Sequence, residues 1–105
     1  MYLARFSYAV TPANRQRALE CIRHELVAAR QSGMNARILI PLTRAHGGAA
    51  LQFEVSLTSL DQLEVFRSRG VGSPAETNDW MHTFSAILLA PPAVEILRVE
   101  EAPNS

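Results

Sequence analysis

The sequence predicts a small α+β domain: a four-stranded antiparallel sheet with helices on one of its faces. Three observations predict it. The spacing of apolar residues alternates between a period of two and a helical period, in the order strand, helix, strand, strand, helix, strand. Cap and turn residues stand at the changes of period. The chain of 105 residues has room for a single modest core, so residues 1–100 are expected to form one domain and 101–105 a disordered tail.

The first element is a strand over 2–10, with Tyr2, Ala4, Phe6, Tyr8 and Val10 on one side and Leu3, Arg5, Ser7 and Ala9 on the other. Thr11 and Pro12 supply a hydroxyl at N-cap and a proline at N1 for the helix that follows. Ala18, Leu19, Ile22, Leu26 and Ala29 form its stripe, and Gly33 ends it. Residues 35–43 read as a second strand with Ile38, Ile40 and Leu42 on one face. Pro41 has no N–H for a ladder, which predicts an edge position. His46-Gly47-Gly48 marks a hairpin turn, and 50–58 a third strand with Leu51, Phe53, Val55 and Leu57 facing one way and Gln52, Glu54 and Ser56 the other. Ser59 with Gln62 is a capping box opening a short helix that ends near Gly70. Gly70–Ser73 reads as a hinge or lid. Ser73-Pro74 with Glu76 opens a further helix, striped by Thr77, Trp80, Met81, Phe84, Ile87 and Leu88 and stopped by Pro91-Pro92. Residues 93–100 form the last strand.

Composition excludes several functions. All ten basic residues are arginines, balanced by ten acidic ones and spread along the chain, so no basic stripe for nucleic acid exists. No apolar run approaches the ~20 residues that span a bilayer, and MYLARFSYAV alternates unlike a signal peptide. A single cysteine, Cys21, precludes an intrachain disulfide and suits the cytoplasm. His24, His46 and His82 show no ligand spacing, so neither a metal site nor a cofactor is expected.

The order β-α-β-β-α-β, with its second helix split in two, is the ferredoxin-like pattern. Its helices cover one sheet face. The other carries Leu3, Arg5, Ser7, Ala9, Leu39, Pro41, Gln52, Glu54 and Ser56, a surface too apolar to stay open to water. A second copy of the chain is its simplest cover, two sheets then pairing in a dimeric barrel. The strand NARILIPLT, the GG hairpin, the SLDQLEVF helix start, and Trp80 and Phe84 in W-x-x-x-F running into AVEILRV resemble the dimeric α/β-barrel superfamily, and within it the NIPSNAP-like group. The resemblance covers nearly the whole chain. It implies this fold and a homodimer. As to activity, it implies only a range that includes cofactor-free monooxygenases, haem-degrading enzymes, isomerases and stress proteins.

Candidate site residues follow from the sheet order, in which the first and third strands are neighbours. Arg5 and Glu54 then meet, either as an ion pair within an interface or as anchors for a ligand carboxylate or enolate, with Ser7, Gln52 and Ser56 beside them. Trp80 is a core residue or the wall of an apolar ligand pocket between helix and sheet. Cys21 reads as a buried, inert thiol. Two functions are compatible with these residues. One is binding of a small, partly apolar or anionic molecule in a pocket by the sheet. The other is a cofactor-independent monooxygenase or isomerase whose quinol-like substrate supplies its own reactivity.

Overall fold

The computed structural model describes residues 1–44, 48–59, 61, 62, 64 and 83–100. Among them the sheet consists of β1 (Tyr2–Tyr8), β2 (Asn35–Leu39), β3 (Leu51–Leu57) and β4 (Ala93–Arg98). Its order is β2-β3-β1-β4, and every neighbouring pair is antiparallel. Helix α1 (Arg15–Gln31) joins β1 to β2 across one face. Beneath it lies the core: Ala4 and Tyr8 of β1, Leu51, Phe53, Val55 and Leu57 of β3, and Ala18, Ile22 and Ala29 of α1. The inward sides predicted for the first and third strands are therefore those observed. The Phe6 and Phe53 rings, paired in register across β1 and β3, stand 6.0 Å apart between centroids.

The ends of the elements differ from the sequence expectation. β1 stops at Tyr8, and Pro12 opens a short 3-10 turn, Pro12–Asn14, before α1 starts at Arg15. Thr11 makes no side-chain capping bond there. β2 ends at Leu39, short of Pro41. It is an edge strand, as expected, but Pro41 lies beyond the ladder and is not the reason. With the strand ended, Ile40 and Leu42 lose the alternation assigned to them and stand exposed, Leu42 by 97%.

The close of α1 is a Schellman motif: Met34 N–H donates to the Ala29 carbonyl and Gly33 N–H to that of Arg30. Gly33 adopts φ +80° to make it. After β3, Gln62 N–H donates to Ser59 Oγ (3.1 Å), while the Gln62 side chain accepts from Thr58 N–H (2.7 Å). The predicted capping box thus reaches back one residue further than expected. Residues 83–87 are helical and place Phe84 and Ile87 in the core, with Leu88 half-buried just after the helix. The helix therefore stops before the expected residue 90. His46, the Gly70–Ser73 hinge, Trp80, His82 and the 101–105 tail lie outside the described residues.

Candidate functional site

The face of the sheet away from α1 carries a row of charges set by strand register. Arg37 of β2 is opposite Glu54 of β3, Glu54 is opposite Arg5 of β1, and Arg5 is opposite Glu95 of β4. Residues directly opposite in an antiparallel ladder share a face. Glu54 is 1% exposed. Its Oε2 accepts from Arg5 Nε (2.7 Å) and its Oε1 from Arg37 Nε (2.8 Å), and the Nη2 of each arginine completes the ion pair at 2.6 and 2.7 Å. Burial pushes the Glu54 carboxyl up, but the hydrogen bonds and charges of the two guanidiniums outweigh it and hold the group below its ordinary value. Both arginines grip the carboxylate as forks, and together they form its cover. One register step away, Gln52 Nε2 donates to Ser7 Oγ (3.1 Å). Ser56 is half-buried between Leu3 and Asn35.

The expected meeting of Arg5 and Glu54 is thus present, and Ser7 and Ser56 share their face. Arg37 was missed. Its signal lies in the strand pattern, since it has the same parity as Leu39, which was assigned to this face.

A second polar constellation sits on the opposite, helix-covered side. Tyr8, the last residue of β1 and 2% exposed, donates its hydroxyl to Glu25 Oε2 of α1 at 2.9 Å. The Phe84 ring lies 4.9 Å from the Tyr8 ring, tilted by 45°. No cation reaches Glu25 among the described residues. Burial pushes its carboxyl up to about 7, against a smaller opposing effect of the Tyr8 hydroxyl. Tyr8 is itself raised far above the usual phenol range, by burial first and then by the Glu25 charge. Cys21, one turn before Glu25, is buried, and its thiol is raised by burial and by Glu20 and Glu25, a setting that keeps it inert. A carboxyl balanced near neutrality beside the hydroxyl of a buried tyrosine can bind a hydroxyl group or accept a proton from a weak acid.

At the end of the sheet, a cleft of about 240 Å³ is lined by Val10, Thr11, Pro12, Arg15, Pro41, Leu42, Arg44 and Ala50. Its two arginines are exposed, so water competes for any anion they hold. Among the described residues, no three His, Cys, Asp or Glu side chains come together as a metal site, and no helix is long and apolar enough to cross a membrane.

No protein-family model matches the chain, and no curated protein matches it. Solved structures do. A NIPSNAP domain protein from Burkholderia xenovorans superposes with a TM-score of 0.73 at 12% identity, covering 99% of this chain and 100% of that one. An antibiotic biosynthesis monooxygenase does so with a TM-score of 0.69 at 10% identity, covering 96% and 100%. The chain has their ferredoxin-like fold. A variant of SnoaB, a cofactor-independent oxygenase from Streptomyces nogalater, is more distant, with a TM-score of 0.54 at 14% identity over 96% and 92% of the two chains. The ferredoxin-like fold expected from the sequence is the one these neighbours display, and a NIPSNAP domain protein is among them.

Proposed function

We propose that the protein is a homodimer that binds a small, partly apolar molecule beside its sheet, with Tyr8 and Glu25 as the polar contacts. The observation that carries this reading is the part-buried Tyr8–Glu25 hydrogen bond. A carboxyl with no countercharge among the described residues is a poor structural device, because burial penalises its charged form. Held by the Tyr8 hydroxyl, it is instead a group able to orient a ligand hydroxyl. The homodimer reading is supported by the open face, where Leu3, Leu39 and Leu97 are half-buried in one protomer. Glu54 there already has its arginines, so a second sheet can exclude water without stranding it. The free, buried Cys21 supports a reducing, cytoplasmic setting.

The test is calorimetric titration of wild type, Tyr8→Phe and Glu25→Gln with a panel of phenols, hydroquinones and small aromatic acids. Wild type should bind at least one member. Each variant should weaken that binding by roughly tenfold, as expected for a hydrogen bond to a charged group. Equal binding by all three proteins, or by none, would overturn the reading.

A second reading, a cofactor-independent monooxygenase or isomerase acting on a quinol-like substrate, is favoured by the Glu25 carboxyl near neutrality, where a general base works best. In that case a hydroxyl proton passes to Glu25, and the resulting electron-rich anion carries the reaction. Oxygen uptake or isomerisation of a hydroquinone by wild type, lost in Glu25→Gln while binding persists, would select it. Binding without turnover of any panel member would reject it.

A further inference from the structure

The cleft at the end of the sheet brings together Arg15, the first residue of α1, and Arg44, which follows β2. No carboxylate stands in its lining. Neither arginine makes an ion pair or a side-chain hydrogen bond among the described residues, whereas Arg5 and Arg37 are committed to Glu54. We propose that this cleft is a ligand site separate from the Tyr8–Glu25 pair and that it takes a small organic carboxylate. Arg15 and Arg44 meet the carboxylate, and the apolar lining residues meet the body that carries it.

The floor of the cleft is held in place by the fold itself. Ala50 N–H donates to the Tyr8 carbonyl (3.0 Å) and Leu89 N–H to the Ala9 carbonyl (2.9 Å), which ties down the chain that enters Val10. Val10 and Ala50 are themselves buried. Arg15 N–H donates to the Pro12 carbonyl, so α1 begins at a set position beside them. Leu42 also lines the cleft and is 97% exposed, a large apolar side chain that the protomer leaves uncovered.

Charge, polarity and size together select the ligand class. Two guanidiniums without an internal counterion favour an anion, and their planar paired donors suit a carboxylate. The Thr11 hydroxyl makes no capping bond and is a further donor in the lining. Val10, Pro12, Pro41, Leu42 and Ala50 offer apolar contact, which a bare inorganic anion cannot use. At about 240 Å³ the space is smaller than the roughly 300–1,000 Å³ that hold drug-sized ligands. The acid therefore carries a single ring or a short branched chain. Because both arginines are exposed, charge alone holds it weakly. Binding needs the anionic and the apolar halves of the ligand at once.

Nuclear magnetic resonance titration of the wild-type chain at low salt tests the site with three probes: phenylacetate, the neutral phenylacetamide, and inorganic phosphate. Phenylacetate should give saturable shifts centred on Val10, Thr11, Arg15, Leu42 and Ala50, with the amide and phosphate weaker by roughly tenfold or more. Arg15→Gln and Arg44→Gln should each weaken phenylacetate by roughly threefold, and the double variant by roughly tenfold. Arg23→Gln removes the same charge from an exposed position of α1 outside the cleft and should leave the titration unchanged. An equal loss in Arg23→Gln would reduce the effect to net charge and overturn the site. Phosphate binding as tightly as phenylacetate would overturn the ligand class, and so would equal binding of the amide. Absence of saturable shifts in the cleft would overturn the proposal outright. Shifts centred on Glu25 and Phe84 instead would also overturn it, while supporting the Tyr8–Glu25 reading.

Discussion

Glu25 and Glu54 are both withdrawn from bulk water, and their neighbours push their acidities in opposite directions. The stability consequences therefore have opposite signs. Glu25 rises from its ordinary 4.5 to about 7, so between those values the folded protein holds a proton that the unfolded chain has lost. Stability then falls as pH rises through this window, by roughly 3 kcal/mol in all. Glu25→Gln should remove that slope, leaving the variant more stable than wild type at pH 8 and close to it at pH 5 in urea unfolding. Parallel curves for the two proteins would mean that Glu25 titrates normally. Glu54 is held below its ordinary value, so its contribution is complete at neutral pH and is lost as pH falls through its folded value. Glu54→Gln should cost roughly 2 kcal/mol at pH 7, with the difference from wild type shrinking in acid. Of these two residues only Glu54 was legible in the sequence, because alternation along β3 assigns it a face and the strand order assigns it Arg5. Glu25 reads as one more solvated charge on an amphipathic helix. Only the packing of α1 over the end of β1 shows that the Tyr8 hydroxyl lies beneath it.

At the scale of elements, interiors were readable and ends were not. Leu51, Phe53, Val55 and Leu57 declare a buried strand face by period alone, and all four are buried. The alternation Ile38, Ile40, Leu42 has the same appearance, yet the strand ends at Leu39. Nothing in the spacing of side chains reports where ladder hydrogen bonds stop. Gly33 was the most informative end signal, since its residue type matches the positive φ that the Schellman close of α1 requires. An added Cβ at Gly33 would meet no atom within 4 Å, so Gly33→Ala isolates the backbone cost. That substitution should lower stability by roughly 1–2 kcal/mol, measurable as a shift in urea midpoint without a change in slope. By contrast, Ile22→Ala at a fully buried position should cost about 2–5 kcal/mol. A cost for Ile22→Ala below that of Gly33→Ala would mean that α1 does not cover the core as described.

For the whole molecule, the proposed function gives the two faces of one sheet different work. The helix-covered face holds the aromatic and titratable groups suited to a ligand. The open face holds a charge row and leucines suited to a second copy. If the chain pairs through its open face as proposed, Leu39→Asp should dissociate that dimer while leaving the protomer folded, because it places an unpaired charge in the interface; sedimentation and circular dichroism together check both halves of that statement. The overall architecture was legible in the sequence because order of elements and binary pattern already restrict the topology. The division of work between the faces was not, because it depends on which charges find partners once the strands pair. Nuclear magnetic resonance mapping of the wild-type protein with the tightest-binding panel molecule tests that division most directly. Shifts concentrated at Tyr8, Glu25 and Phe84, with Arg5, Ser7, Glu54 and Ser56 unmoved, are the predicted result; shifts concentrated on Arg5, Ser7 and Ser56 would contradict it.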